Sequence, residues 1–234
     1  MFFPAFNTEN SRYERKYLIT DMQLPVVFQQ IKLHPAGFSP IFYPRYINNI
    51  YLDTQNLDAF YENLIGRGQR KKARIRWYGN INGKIEKPVL EFKLKEGLLG
   101  NKLSFPLVPF DFDENFDYET LKKVFQDSNL PVWALESVLK QRPALVNRYK
   151  RTYFMSFDKL FRVTVDEELS YYEINDIAPN NLLNGFQSND FVVELKYSIN
   201  NDSLAVSVGD YLPFRMTKNS KYVNGIGMIY GIPV

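Results

Sequence analysis

"GQRKKARIRWYG", residues 68–79, is the stretch on which the fold turns. Side chains of an extended strand alternate between two faces. Here Arg70, Lys72, Arg74, Arg76 and Tyr78 therefore share one side, while Lys71, Ala73, Ile75 and Trp77 share the other. Asn82-Gly83, just downstream, suits a two-residue hairpin turn, because both positions need positive φ. Pairing outward from that turn sets Tyr78 against Lys87, Arg76 against Val89, Arg74 against Glu91, Lys72 against Lys93 and Arg70 against Lys95. The same register matches Trp77 with Pro88, Ile75 with Leu90 and Ala73 with Phe92, so both strands agree about which side is charged.

The alternation recurs along the chain. Arg12, Glu14 and Lys16 share a face in 12–19; Arg162, Thr164 and Asp166 lie opposite Phe161, Val163 and Val165; Glu194 and Lys196 lie opposite Val193, Leu195 and Tyr197. One such strand fits any antiparallel sheet with a solvated face. Together these strands gather Arg12, Lys16, Arg70, Lys72, Arg74, Arg76, Lys93, Lys95, Arg162 and Lys196 against only Glu14, Glu91, Asp166 and Glu194. An ordinary solvated face mixes the signs more evenly. Like charges about 6 Å apart repel by roughly 3 kcal/mol at an effective dielectric near 20, so a dry cluster would not persist. A water-filled lumen could hold it and would gain by admitting a polyanion. The expectation is an α+β protein, a closed antiparallel β-barrel with helices packed on its outer, apolar side.

Those helices are legible as apolar stripes. Leu24, Val27, Phe28 and Ile31 mark one, with Thr20 or Asp21 as cap and Pro25 in the first turn. After a strand at 46–53, Leu57, Phe60, Tyr61 and Leu64 mark another, stopped by Gly66. Leu121, Val124 and Phe125 mark a third, and Val132, Leu135 and Leu139 a fourth beginning at Pro131, with Pro143 ending the region. Strands follow at 145–157, 161–167 and 190–197, with a polar loop at 178–190.

The 234 residues suit one domain spanning 1–234, and a net charge of only +3 confines any basic site to local arrangement. With no cysteine, disulfides and thiolate metal sites are excluded, and the lone His34 reads as structural. A leader peptide or a run of about 20 apolar residues is not evident, so a cytoplasmic protein without membrane insertion is expected. The four acids, Glu14, Glu91, Asp166 and Glu194, can pair locally with the cations or hold an oxygen-liganded Mn²⁺ or Mg²⁺.

"YERKYLI", "IYLDT", "RIRWYG", "LEFKLKEG", "RYKRTYF", "RVTVDEEL", "VVELKY" and "SKY" resemble, in order, the VTC domain, the polyphosphate polymerase domain of the CYTH and triphosphate tunnel superfamily. The resemblance runs from about residue 11 to 223. It implies a closed β-tunnel and transfer of the γ-phosphate of ATP to a growing polyphosphate chain with a divalent metal, usually Mn²⁺. It also implies that Lys16, Arg74, Arg76, Lys93, Arg151 and Arg162 clamp phosphates, joined by Arg148 and Lys196. Glu194 would ligate the metal, and Lys218 and Lys221 would contact nucleotide phosphates or the chain. Arg70 and Lys72 would guide substrate at the tunnel mouth. The superfamily's opening E-x-E-x-K reads Arg12-x-Glu14-x-Lys16 here. One metal-binding carboxylate is thus a cation, which favours the polymerase branch over two-metal hydrolases or cyclases.

The alternatives are a metal-dependent tripolyphosphate or nucleoside triphosphate hydrolase and a non-catalytic polyphosphate binder. Nucleic acid is not an expected partner, because Tyr78 is the only obvious stacking platform on the charged face. The resemblance leaves room for a separate membrane or regulatory partner. Because free tunnel cations would repel one another, Arg74→Ala with Arg76→Ala is expected to abolish turnover while leaving the fold intact.

Overall fold

A computed structural model describes residues 12–97, 99–174 and 185–234. Its eleven strands are β1 (Arg12–Ile19), β2 (Ser39–Asp53), β3 (Gln69–Tyr78), β4 (Gly83–Ile85), β5 (Val89–Glu96), β6 (Leu99–Pro106), β7 (Phe110–Phe112), β8 (Arg142–Met155), β9 (Phe161–Tyr172), β10 (Phe186–Ser188) and β11 (Phe191–Ser198). Its helices are α1 (Leu24–Lys32), α2 (Asp58–Leu64), α3 (Tyr118–Asp127), α4 (Val132–Val138), α5 (Asp202–Asp210) and α6 (Lys221–Tyr230). The sheet runs β9-β11-β1-β6-β5-β3-β2-β8, and β8 pairs with β9 again, closing an antiparallel ring of eight strands. The closure is thinnest between β1 and β6, joined by the single pair Arg12 and Gly100.

The register derived from "GQRKKARIRWYG" holds for Arg76–Val89, Arg74–Glu91, Lys72–Lys93 and Arg70–Lys95. The turn expected to set it does not form. Gly83 has positive φ but Asn82 does not, and the chain between β3 and β5 carries β4, which pairs with β7 instead. Register is fixed by facial agreement along the strands, since a one-residue slip would push every cation into the apolar layer.

Outside the ring, α3 and α4 cover Ala73, Ile75, Trp77, Leu90 and Phe92 through Leu121, Val124, Phe125, Ala134 and Val138. Helices α1 and α5 cover Tyr17, Ile19, Phe161, Val163, Val165, Val193 and Leu195 through Val27, Ile31 and Ala205. Helix α6 behaves differently. Its Tyr222, Val223 and Ile226 pack with Tyr51, Leu145, Tyr171 and Val192, and Tyr51, Leu145 and Val192 share strand faces with the polar Asn49, Asn147 and Glu194. The helix therefore fills one end of the lumen.

Asp53, nearly fully buried, ties this end together by accepting from the Ala59 and Phe60 amides of α2, each at 3.0 Å, and from the Tyr222 hydroxyl of α6. Gly225 allows α6 to approach, because a Cβ there would lie 2.6 Å from both Leu145 and Tyr171.

Several local expectations are corrected. Helix α1 starts at Leu24 after an N-cap Gln23 without a side-chain bond, so neither Thr20 nor Asp21 caps it. Strand β2 begins at Ser39, well before residue 46, and Pro143 lies inside β8, paired with Leu52, rather than ending a helical region. Of the polar loop, 185–190 includes β10 and the remainder lies outside the described residues. His34 is structural: it is buried, its Nδ1 accepts from the Ala36 amide and its Nε2 donates to the Val208 carbonyl.

Candidate functional site

Contacts that skip a strand show which faces meet inside the ring. Lys93 of β5 reaches Glu14 of β1 at 2.7 Å, across the position of β6. Arg76 of β3 donates to the Tyr149 hydroxyl of β8 at 3.1 Å, across β2. Arg151 of β8 reaches Glu194 of β11 at 3.2 Å, across β9. The lumen is thus lined by the charged faces read from the sequence.

Its cations fall into two electrostatic groups. In the first, each cation pairs with an acid: Lys93 with Glu14, and the others with three acids that are shared. Glu91 holds Arg74 at 2.7 Å, Lys102 at 2.6 Å and Arg76 at 3.6 Å. Glu194 holds Lys196 at 2.5 Å, Arg151 at 3.2 Å and Lys16 at 3.5 Å. Asp166 holds Arg151 and, at 2.5 Å, Lys221 of α6. Burial opposes the charge on all three acids, yet the surrounding cations keep each carboxyl below its usual range: Arg74 and Arg76 for Glu91, Lys196 and Lys16 for Glu194, and Arg151 and Lys221 for Asp166. Burial likewise opposes charge on Lys221, but Asp166 and Glu194 push its ammonium pKa up. On Lys196 burial wins over Glu194 and brings the ammonium down to about 8.

The second group has no ion-pair partner among the described residues: Arg12, Arg70, Lys72, Lys95 and Arg162. Among the described residues Lys72 donates only to neutral acceptors, Asn63 Oδ1 at 2.9 Å and the Ser220 hydroxyl at 3.1 Å. Burial, then Lys16 and Lys93, depress it well below the ordinary lysine value. Arg162 is lowered by burial and by Arg12 and Arg151. These groups offer the strongest incentive to accept a polyanion.

Two sequence candidates fall elsewhere. Arg148 sits one residue out of phase with Tyr149 and stacks over the Tyr46 ring at 4.0 Å, contacting Asn48 Oδ1 at 3.5 Å, so it does not share the lumen face of Arg151. Lys218 is exposed in the segment running beside β1, where Thr217 bonds to Lys16 and Leu18. Several lumen residues lie beyond the sequence expectation, among them Lys102, Tyr51 and Tyr149. Lys102 belongs to "GNKLSFP", whose Lys102-Ser104 against Leu103-Phe105 alternation is its only signal. Tyr51 and Tyr149 sit in words that read equally as core, yet their hydroxyls meet Arg74 and Arg76.

The four acids do not form one metal cage; no group of three or more potential ligands occurs among the described residues. Glu91 is enclosed by its three cations. Glu194, whose Oε1 faces Lys16 at 3.5 Å, and Glu14, whose one ion pair among the described residues is with Lys93, could each offer an oxygen to a hard ion, and Glu194 lies deeper among the clamping cations. Further oxygens would have to come from phosphate and water, the usual habit of Mg²⁺ at phosphate sites.

A ring of antiparallel strands with a cationic lumen, covered by helices outside and filled by a helix at one end, defines a triphosphate tunnel fold. The chain belongs to the VTC domain family, which matches residues 11–230. In structure it is similar to a Vibrio parahaemolyticus protein provisionally assigned as an adenylate cyclase, with 9% identity, a TM-score of 0.51, and 91% of this chain and 97% of that one covered. It is also similar to a provisionally assigned adenylyl cyclase from Hippeastrum described as having a dominant triphosphatase activity, with 12% identity, a TM-score of 0.51, and 96% and 97% covered. At these identities the likeness establishes the fold. Comparison with curated proteins gives no match. Among the described residues, no helix is long and apolar enough to cross a membrane.

Proposed function

We propose that the protein is a polyphosphate polymerase that transfers the γ-phosphate of ATP to the end of a polyphosphate chain lying in the tunnel. The observation that supports transfer over hydrolysis is the state of the acids. Glu14, Glu91, Asp166 and Glu194 are all held by cations, with carboxyls poorly suited to take a proton from water. A terminal phosphate is already largely deprotonated, so as a nucleophile it needs alignment and charge neutralisation rather than a base.

Arg74, Arg76 and Arg151 present planar donors that grip phosphate oxygens two at a time. Lys16, Lys93, Lys196 and Lys221 supply point charges, and phosphate oxygens can replace the carboxylates that hold them. Arg12, Lys72 and Arg162 add neutralising charge with no ion-pair partner among the described residues. Mn²⁺ or Mg²⁺, held by Glu194 Oε1 and carried in with the phosphates, would neutralise charge on the transferred group. The acceptor chain and ATP are the expected partners.

The test is incubation with ATP and Mn²⁺ followed by gel separation of products. Chains lengthening with time support the proposal. ADP and inorganic phosphate without chain growth would instead indicate a hydrolase.

A further inference from the structure

The end of the ring opposite α6 carries a feature the phosphate chemistry does not use. Between the pairs Phe42–Tyr153 and Arg45–Arg151 the register of β2 on β8 shifts, three steps on one strand facing two on the other. In a regular strand Phe42 and Arg45 would point to opposite faces. The bulge re-aims them to one side. The Arg45 guanidinium lies 4.9 Å from the Phe42 ring centre, 4.9 Å from Tyr78 and 5.0 Å from Tyr153. Phe42 and Tyr153 meet edge to face at 5.6 Å.

This collar is open. Phe42 is 52% exposed and Tyr78 51%, and no ion pair or hydrogen bond ties down Arg45 among the described residues. Tyr78 and Tyr153 stand two residues beyond Arg76 and Arg151 on the same strand faces, about 7 Å along each strand. An apolar surface with a planar cation, one layer outside the phosphate clamps, matches the other half of a nucleotide. The opposite end is filled by α6, so a base cannot lie there.

We propose that the Arg45 collar seats the nucleobase of a nucleoside triphosphate whose phosphates enter the tunnel, with the base stacking on Tyr78 and Phe42 and the guanidinium against its plane. This rests on the tunnel's being a triphosphate site. What the aromatic rings of the collar offer is stacking area, so the seat favours large bases by size more than by identity.

The experiment is calorimetric binding of ATP and of tripolyphosphate, without divalent ions so that nothing turns over. It compares wild type with Phe42→Leu/Tyr78→Leu, which keeps the charge unchanged, and with Arg45→Lys, which keeps the charge but removes the planar donor. Loss of base stacking should weaken ATP about tenfold or more while leaving tripolyphosphate unaffected in both variants. A ratio of the two affinities equal to that of wild type overturns the collar while leaving the tunnel reading intact. Failure of wild type to bind tripolyphosphate at all would overturn the tunnel reading itself.

Discussion

Replacing Glu91 by Gln isolates what the lumen acids do. Glu91 is 4% exposed and touches Arg74, Arg76 and Lys102 at 2.7, 3.6 and 2.6 Å. Removing one member of a buried ionic network costs about 3–5 kcal/mol, because the remaining charges lose their compensation. Lys102 is 52% exposed and can turn into water, which places the expected loss near the lower limit, about 3 kcal/mol. In a chain of this size that is a fall of about 6–12 °C in melting temperature. If phosphate oxygens take the place of Glu91 in the loaded tunnel, tripolyphosphate should restore the variant more than it stabilises wild type. Thermal unfolding followed by circular dichroism, with and without tripolyphosphate, measures both quantities. A variant that melts like wild type, or one that gains no more from tripolyphosphate than wild type does, would refute this electrostatic exchange.

Other expectations follow from the same geometry. Lys196 sits at about 8 in the folded protein against 10.5 in the unfolded chain, so between these values the unfolded state binds more protons and this group's contribution to stability rises with pH. A bound anion reverses the shift, so tripolyphosphate should take up protons near pH 9 and bind more weakly as pH rises through about 8. Calorimetry in two buffers of different ionisation enthalpy reads that uptake, and equal heats would contradict it. Asp53→Ala strands three donors from α2 and α6 and should cost about 3 kcal/mol in denaturant unfolding. Gly225→Ala presses α6 against Leu145 and Tyr171 and should cost about 1–3 kcal/mol; an unchanged midpoint would mean that α6 does not seal the lumen.

The sequence was most informative where one face had to be wet and the other dry. Arg70 to Trp77 and Val89 to Lys95 carry that contrast at nearly every position, Lys71 and Val89 excepted, so their register survives a turn that forms differently. It was least informative where polar and apolar roles share one face. Leu145, Asn147, Tyr149 and Arg151 all lie on the lumen side, apolar at the α6 end and cationic further along. Strand alternation cannot separate those roles. Helix α6 is invisible for a related reason: "KYVNGIGMIY" contains two glycines, which weaken a helix unless close packing requires them. The pairing of Arg74 and Arg76 with Glu91 also revises the expectation for their double alanine variant. Removing both leaves Glu91 buried with Lys102 alone, so the fold should lose stability as well as phosphate affinity.

The most direct test of the account is a crystal grown with Mn²⁺ and a non-hydrolysable ATP analogue. The triphosphate is expected inside the ring, between Arg74, Arg76, Arg151 and Lys196, with the ion against Glu194 Oε1 and the base at Arg45. A triphosphate bound on the outer surface while the lumen cations keep their carboxylate partners would contradict it.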